Sequence, residues 1–223
     1  MPPTKRATQQ LPSGRHGLSR SFVVHNQRER MLAAVADAVS EKGYARYSVE
    51  DVVERSGVSR RTFYQQFKNK EDAFLAAYDA GVGQLVERVS SAYESREGPV
   101  DRLHAGIGEF LAVLAGDPAF ARMCIVEVLG AGPAALERRA AAMGAFASII
   151  EANARELVPE LEPAGLIAET VVGGVYEVVF ARLVAGQVEQ LPDLLPELIH
   201  TVVLLMLGPE AAAEYRAASQ GTV

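Results

Sequence analysis

The sequence predicts an all-α fold of about nine helices, and three observations support this. Alanine, the strongest helix former, is abundant, and tryptophan is absent. Glycine and proline divide the chain into segments of helical length. No stretch shows the alternation of apolar and polar residues that a half-buried strand requires. With 223 residues, 49% of them hydrophobic, the chain is long enough to bury a substantial core.

The first 24 residues predict a disordered arm, because they are rich in proline, serine and glycine and carry basic side chains. Helix 1 is expected from about Asn26 to Lys42, where Gly43 ends it. Its buried stripe is expected to comprise Met31, Leu32, Val35 and Val39.

Residues 48–72 predict two short helices joined by a tight turn and followed by the start of a third. Ser48 can cap the first helix, with Asp51 three residues on completing a capping box. Gly57 suits the left-handed position after that helix. Ser59 can cap the second helix, which runs from residue 60 to residue 67. Its two aromatic residues four apart, Phe63 and Phe67, are expected to face inward.

The outward face of this second helix predicts DNA contact. It carries arginines, hydroxyl groups and an amide, which suit guanine edges, phosphates and adenine edges respectively. No acidic residue occurs between Arg55 and Lys70. Residues 1–70 hold 13 Lys and Arg against 6 Asp and Glu, whereas residues 71–223 hold 9 against 22. A basic head on an acidic body favours one docking face for DNA.

The stretch from Val52 to Phe74 resembles the N-terminal domain of the TetR family of transcriptional regulators. The matching residues are Gly57, Val58, Ser59, Thr62, Tyr64, Phe67, Lys70 and Glu71. One departure is Gln66, where the family usually has histidine. The resemblance implies phosphate contacts by Thr62 and Tyr64, and by Lys70 at the start of helix 4. It also implies a homodimer formed by the last two helices and an effector that binds in the helical body.

The predicted DNA-binding residues therefore comprise base-edge candidates, phosphate ligands and helix caps. They are Ser48, Ser59, Arg60, Arg61, Thr62, Tyr64, Gln65 and Lys70. The two serines are explained equally well as purely structural caps. The arm could enter the minor groove of operator DNA or remain a solvated tail, and the sequence leaves both possibilities open.

Helix 4 is expected from Lys70, capped by Asn69, to about Ser95, and it would connect the two domains. Five further helices are expected at about 99–115, 118–129, 133–157, 163–185 and 192–207. The predicted domains are an arm over 1–24, a helix-turn-helix domain over 25–70, and a ligand-binding and dimerisation domain over 71–223.

Large apolar residues of the body are candidates for an effector pocket, although such stripes are by default core. They are Phe110, Phe120, Met123, Cys124, Phe146, Tyr176 and Phe180. The acidic body argues mildly against a polyanion such as coenzyme A as the ligand, unless arginines of the body cluster locally; the candidates are Arg102, Arg122, Arg155 and Arg182. The dimer interface is predicted at Val171, Val175, Val178, Leu198, Val202 and Leu205, because the last helix is apolar nearly all round. An internal helix pair in a monomer is the alternative.

Other classes of protein have less support. The chain lacks zinc, phosphate-loop and hydrolase motifs, so we expect no enzyme, metal or cofactor. A single cysteine suits a reducing cytoplasm. The most apolar segment, 198–207, is too short to span a membrane. The sequence thus predicts a cytoplasmic homodimeric repressor that a small hydrophobic or aromatic effector releases from operator DNA. An activator or dual regulator of the same fold is the alternative, ahead of a helical enzyme or a sensor without DNA binding.

Overall fold

The computed structural model describes residues 19–220, apart from the side chains of Arg20 and of residues 218–220. This part of the chain forms ten α-helices and no strand, which confirms the all-α prediction. The helices are α1 Arg20–Lys42, α2 Val49–Ser56, α3 Arg60–Gln66, α4 Lys70–Glu94, α5 Pro99–Gly116, α6 Pro118–Ala121, α7 Pro133–Leu157, α8 Ala164–Val184, α9 Leu195–Leu207 and α10 Pro209–Gln220.

Helix α1 begins six residues earlier than predicted. Ser19 is its N-cap, and the Ser19 hydroxyl accepts a hydrogen bond from the Phe22 amide at 3.2 Å. The last residues of the predicted arm, from Ser19 onward, therefore belong to the cap and first turn of α1. Residues 1–18 of that arm lie outside the described residues.

Helices α1 to α3 form a small domain whose local signals act as the sequence predicts. Ser48 and Asp51 form a reciprocal capping box, since each side chain accepts a hydrogen bond from the other residue's amide. Gly57 has φ 63° and lies in the left-handed region. Ser59 and Asn69 cap α3 and α4. The domain core is fully buried and contains Met31, Val35, Val39, Phe63 and Phe74.

Helix α4 extends from this domain into the body, where it runs in the same direction as α7. Asp79 of α4 forms an ion pair with Arg138 of α7 at 2.8 Å. Further along both helices, Asn153 of α7 donates to the Tyr93 hydroxyl of α4 at 3.0 Å. The two contacts lie 14 residues apart on α4, which is about 21 Å at 1.5 Å per residue.

The predicted helix over 118–129 is divided in the structure. Only Pro118–Ala121 is α-helical; a π-helical turn follows over Arg122–Val126 and a 3₁₀ turn over Glu127–Gly130. A second 3₁₀ turn, Val188–Leu194, precedes α9. The twelve-residue α10 was not predicted, and it packs on α9, where His200 Nδ1 lies 3.1 Å from the Ala212 carbonyl oxygen.

Two helical stretches, 164–184 and 188–207, have the length and composition of a membrane span, contrary to the expectation from sequence. Helices in the cores of globular proteins also meet these criteria. Here each stretch packs one face against the body, with Val179 and Ile199 fully buried. The other face of each carries exposed apolar side chains, Leu166 and Val184 on the first stretch and Leu204 and Leu205 on the second.

Candidate DNA-binding surface and ligand cavity

Helix α3 presents a polar face to solvent because its aromatic residues anchor the opposite face. Phe63 and Phe67 are 0% and 3% exposed, whereas Tyr64 is 49% exposed. Ser59 accepts from the Thr62 amide at 3.0 Å, and the two hydroxyl oxygens lie 2.8 Å apart. The start of α3 therefore holds its hydroxyl groups in one place, where they can donate to a phosphate.

The two arginines of α3 differ in their contacts. Arg60 forms an ion pair with Glu50 of α2 and lies over the Tyr64 ring, 5.9 Å from its centroid. Arg61 forms no ion pair or hydrogen bond with any described residue, and both Arg61 and Gln65 are exposed. Arg61 and Gln65 are thus the base-edge candidates that can contact DNA without first breaking a contact within the protein.

Lys70 has a structural role that sequence reasoning missed. Its Nζ donates to the carbonyl oxygens of Tyr44, Ala45 and Tyr47 at 3.2, 3.3 and 3.2 Å, and lies over both tyrosine rings. The Tyr47 hydroxyl in turn donates to the Lys70 carbonyl oxygen. The ammonium group is occupied by the turn after α1, so the structure does not support the phosphate contact expected of it.

Ser48 is likewise committed to the protein. It forms the capping box with Asp51, and Lys42 contacts the same carboxylate at 2.5 Å. The Lys42 hydrogen bond holds the pKa of Asp51 below its usual range, with smaller contributions from Ser48. This cluster fixes the start of α2, and Ser48 is better explained as a cap than as a DNA ligand.

A cavity of about 100 Å³ lies in the body between α4, α5, α7 and α8. Its α4 wall consists of Tyr78, Val82, Leu85, Val89 and Tyr93. These residues recur every three or four positions and so form one stripe along the helix. The cavity is elongated, because the first and last residues of the stripe are 15 positions apart on α4, about 22 Å.

Four of the seven predicted ligand residues line this cavity: Phe110, Cys124, Phe146 and Tyr176. Phe120, Met123 and Phe180 do not. Phe120 and Met123 instead line a separate groove of about 280 Å³ between α1 and α4. The Phe120 ring packs against Gly81, where a Cβ atom would lie only 2.3 Å from it. Phe180 is half-buried and packs against the body core.

Sequence reasoning missed Arg139, the charged residue in the cavity wall. Its guanidinium carbon lies 4.1 Å from the centroid of the Tyr176 ring. The signal was present, since Arg139, Met143, Phe146 and Ile150 are spaced by four, three and four residues on α7, which puts a charge in an apolar stripe. Burial raises the pKa of Tyr176, and Arg139 opposes this shift.

The cavity wall continues into a contact with the DNA-binding domain. Cys124 and Ile125 of the π-helical turn line the cavity, and the Ile125 carbonyl accepts from the Tyr176 hydroxyl at 2.6 Å. Two residues later, the Glu127 carboxylate accepts from the Tyr44 amide at 2.9 Å. Arg122 lies 3.3 Å from the other Glu127 oxygen. One short segment therefore touches both the cavity and the turn that holds Lys70.

Three of the predicted dimer residues are buried within a single protomer or line its cavity. Val202 is 2% and Val171 5% exposed, so neither can reach a partner, and Val175 lines the cavity. Val178 and Leu198 are half-buried, and Leu205 is 47% exposed. The exposed apolar residues of α8 and α9 are Leu166, Val184, Leu204 and Leu205. The use of α8 and α9 for dimerisation stays a prediction, and the faces they leave exposed do not include Val171 or Val202.

No group of three or more metal-ligating side chains occurs among the described residues. Cys124 is buried in the cavity wall.

Comparison with known proteins places these features in a family context. Residues 32–77 match the family model for bacterial regulatory proteins of the tetR family. The chain is 28% identical to the fatty acid metabolism regulator protein of Bacillus subtilis over 88 residues, 40% of this chain and 45% of that protein. It is 25% identical to the HTH-type transcriptional activator FasR of Mycolicibacterium smegmatis over 113 residues, 51% and 52% of the two chains. The matched regions span about half the length of these curated relatives.

A solved structure is similar over most of the chain. It is the transcriptional regulator FadR from Bacillus subtilis in complex with stearoyl-CoA. The TM-score is 0.72 at 21% identity, covering 81% of this chain and 98% of that one. This likeness shows that the body shares its fold with that regulator.

Proposed function

The chain belongs to the tetR family of bacterial regulatory proteins through its N-terminal domain, and from this premise we propose that it is a homodimeric, ligand-responsive repressor. The observation that carries the proposal is the exposed face of α3, where Arg61, Tyr64 and Gln65 are free to reach DNA. Repression follows if the protein occupies an operator and a ligand releases it. Activation is the second candidate, because the similar FasR protein is named a transcriptional activator.

Dimerisation through α8 and α9 is supported by the apolar surface that these helices leave exposed. Leu166, Val184 and Leu205 are 60%, 58% and 47% exposed, and exposed apolar side chains that are grouped on a surface mark interaction sites. On α8 the space beyond Gly173 and Gly174 is open, so a second helix could approach closely. Two copies would then present two α3 helices to successive half-sites of DNA.

The cavity is the proposed effector site, and its shape favours a long apolar ligand. Its α4 wall extends for about 22 Å, and the other walls are almost wholly apolar. The volume of about 100 Å³ is below the range typical of ligand pockets, so binding requires the walls to separate. The similar FadR protein was solved with stearoyl-CoA, which is consistent with a fatty chain as the ligand.

Release from DNA would follow because the cavity walls also hold the DNA-binding domain. Separating α4 from α7 moves Tyr78 near the start of α4, and moving the π-helical turn shifts Glu127 against Tyr44. A ligand can lower DNA affinity only if it binds one arrangement of the two domains better than the other. The proposed arrangement without ligand is the one in which Glu127 accepts from Tyr44.

The test begins with selection of an operator from a library of random DNA duplexes, followed by binding measurements with and without stearate and stearoyl-CoA. We expect tight, sequence-specific binding that at least one of these ligands weakens. Ala142→Phe fills the cavity and should abolish the ligand response while operator binding persists. Ala141→Phe, an exposed neighbour on α7, is the matched control and should respond normally. Failure to select any sequence would contradict the proposed function.

A further inference from the structure

Arg139 is the only charged residue that lines the cavity in the described part of the chain. No carboxylate among the described residues forms an ion pair with it, in contrast to its neighbour Arg138, which pairs with Asp79. The Arg139 Nε atom is buried and has no hydrogen-bond partner among the described residues. A cation held at an apolar cavity without a counterion favours binding of an anion.

The surroundings of Arg139 hold its guanidinium in a fixed orientation. The Tyr176 ring covers one face at 4.1 Å, and the Tyr176 hydroxyl donates to the Ile125 carbonyl, which fixes the ring. A guanidinium stacked in this way keeps its N–H groups, which point outward in its own plane. Two parallel N–H groups match the two oxygens of a carboxylate, so the group is prepared for a bidentate contact.

The remainder of the cavity suits an unbranched hydrocarbon chain. From the end formed by Tyr78 and Arg139, it follows α4 and α7 towards Tyr93 and Ile150. Behind that far end, Asn153 donates to both the Tyr93 hydroxyl and the Pro99 carbonyl, which holds the Tyr93 side chain in place. No charged side chain of the described residues lines that end, so the two ends differ in the group they favour.

We infer that Arg139 binds the carboxylate of an unesterified long-chain fatty acid whose chain extends along α4 towards Tyr93. The inference rests on the proposed function, in which this cavity is the effector site. A contact between Arg139 and a carboxylate favours the free acid over its coenzyme A thioester. The thioester has no charge at that carbon and carries several phosphates. Residues 71–223 hold 22 acidic residues against 9 basic ones, which disfavours those phosphates.

The location of Arg139 connects a bound carboxylate to the segment that contacts the DNA-binding domain. Arg139 lies at the cavity end that includes Cys124 and Ile125, the residues just before Glu127. A bound carboxylate would pull the guanidinium in its own direction and change its contact with Tyr176. Tyr176 is hydrogen-bonded to Ile125, so the signal starts at the segment that contacts the DNA-binding domain.

The experiment compares stearate, 1-octadecanol and stearoyl-CoA, each displacing a neutral apolar fluorescent dye from the full-length protein. The wild-type protein should bind stearate at least about tenfold more tightly than the alcohol, since hydrogen bonds to charged groups are worth that much. Arg139→Gln should reduce this ratio to about one, and Arg139→Lys should give an intermediate ratio. Arg155→Gln, an exposed arginine on the same helix, is the control and should leave the ratio unchanged.

The ratio of affinities for stearate and 1-octadecanol is measured within each variant. A variant that is merely less stable would therefore not show a reduced ratio. A wild-type ratio near one, or a ratio that Arg139→Gln retains, would overturn the assignment of Arg139 and leave the effector site in place. Equal affinity of the wild type for stearoyl-CoA and stearate would overturn the choice of the free acid. If none of the three compounds binds, both this inference and the proposed fatty-chain effector are wrong.

Discussion

Glu127 should be required both for stability and for the response to ligand, and Glu127→Ala tests both roles. The substitution removes the acceptor for the Tyr44 amide at 2.9 Å and the partner of Arg122 at 3.3 Å. The Glu127 side chain is only 15% exposed, so water replaces these contacts poorly. A hydrogen bond to a charged group contributes about 1.5 to 3 kcal/mol, and a half-exposed ion pair adds about 0 to 1 kcal/mol.

We therefore expect Glu127→Ala to lower the free energy of unfolding by about 1.5 to 4 kcal/mol in urea denaturation. Glu127→Gln keeps an acceptor for Tyr44 and should lose less than about 1 kcal/mol. Glu109→Ala is a control within the body, where the carboxylate forms a more exposed ion pair with Arg88 at 2.5 Å. It should also cost less than about 1 kcal/mol.

The second readout is the ratio of operator affinities with and without the effector. Coupling between two sites is typically about 1 to 3 kcal/mol, a change of roughly 5- to 150-fold in affinity. Glu127→Ala should bring this ratio close to one, while Glu127→Gln and Glu109→Ala should preserve it. If Glu127→Ala retained the full ratio, the contact between Glu127 and Tyr44 would not transmit the signal.

Three further predictions concern DNA contact, the turn after α1 and assembly. Arg61→Ala should cost about 1 to 3 kcal/mol on the preferred operator and relax sequence preference, as competition binding on operator variants would measure; unchanged preference would exclude a base contact. Lys70→Met should lower the free energy of unfolding by about 1.5 to 3 kcal/mol, because it removes the donor to three carbonyl oxygens. The exposed control Lys68→Met should have little effect. Equal stability of the two variants would refute the structural role of Lys70. Leu205→Glu should give monomers in sedimentation and weaken operator binding. The control is Leu129→Glu, at a residue that is 43% exposed and lies outside α8 and α9, and this variant should remain a dimer. A dimeric Leu205→Glu protein would place the interface elsewhere.

The helix-turn-helix could be predicted in detail because its signals are local. A serine, an aspartate three residues on and a glycine at the helix end each act on the backbone within one turn. The structure therefore confirms the caps at Ser48, Ser59 and Asn69 and the left-handed Gly57. Helix α10 was missed because the sequence was expected to end its last helix before Gly208-Pro209, whereas Pro209 begins a new helix.

The body could not be predicted to the same depth because its features depend on packing between distant segments. Lys70 carries a charge that suits a phosphate, and only the folded turn shows that three carbonyls already bind it. Val202 belongs to a helix that is apolar all round, so its burial within the protomer depends on how α9 is rotated. Whether an apolar aromatic lines a cavity or fills core depends on both neighbouring helices, as Phe110 and Phe120 illustrate.

The π-helical turn at Arg122–Val126 makes the length of this segment as important as its side chains. The hydrogen bond of a π turn spans one more residue than that of an α turn, because it joins residues five apart instead of four. Deleting one residue there would restore α geometry and rotate all that follows by about 100°. Glu127 would then turn away from Tyr44, and the neighbouring cavity residues Cys124 and Ile125 would shift with it. A variant that keeps Glu127 but lacks that one residue would therefore lose the contact between this segment and the turn after α1.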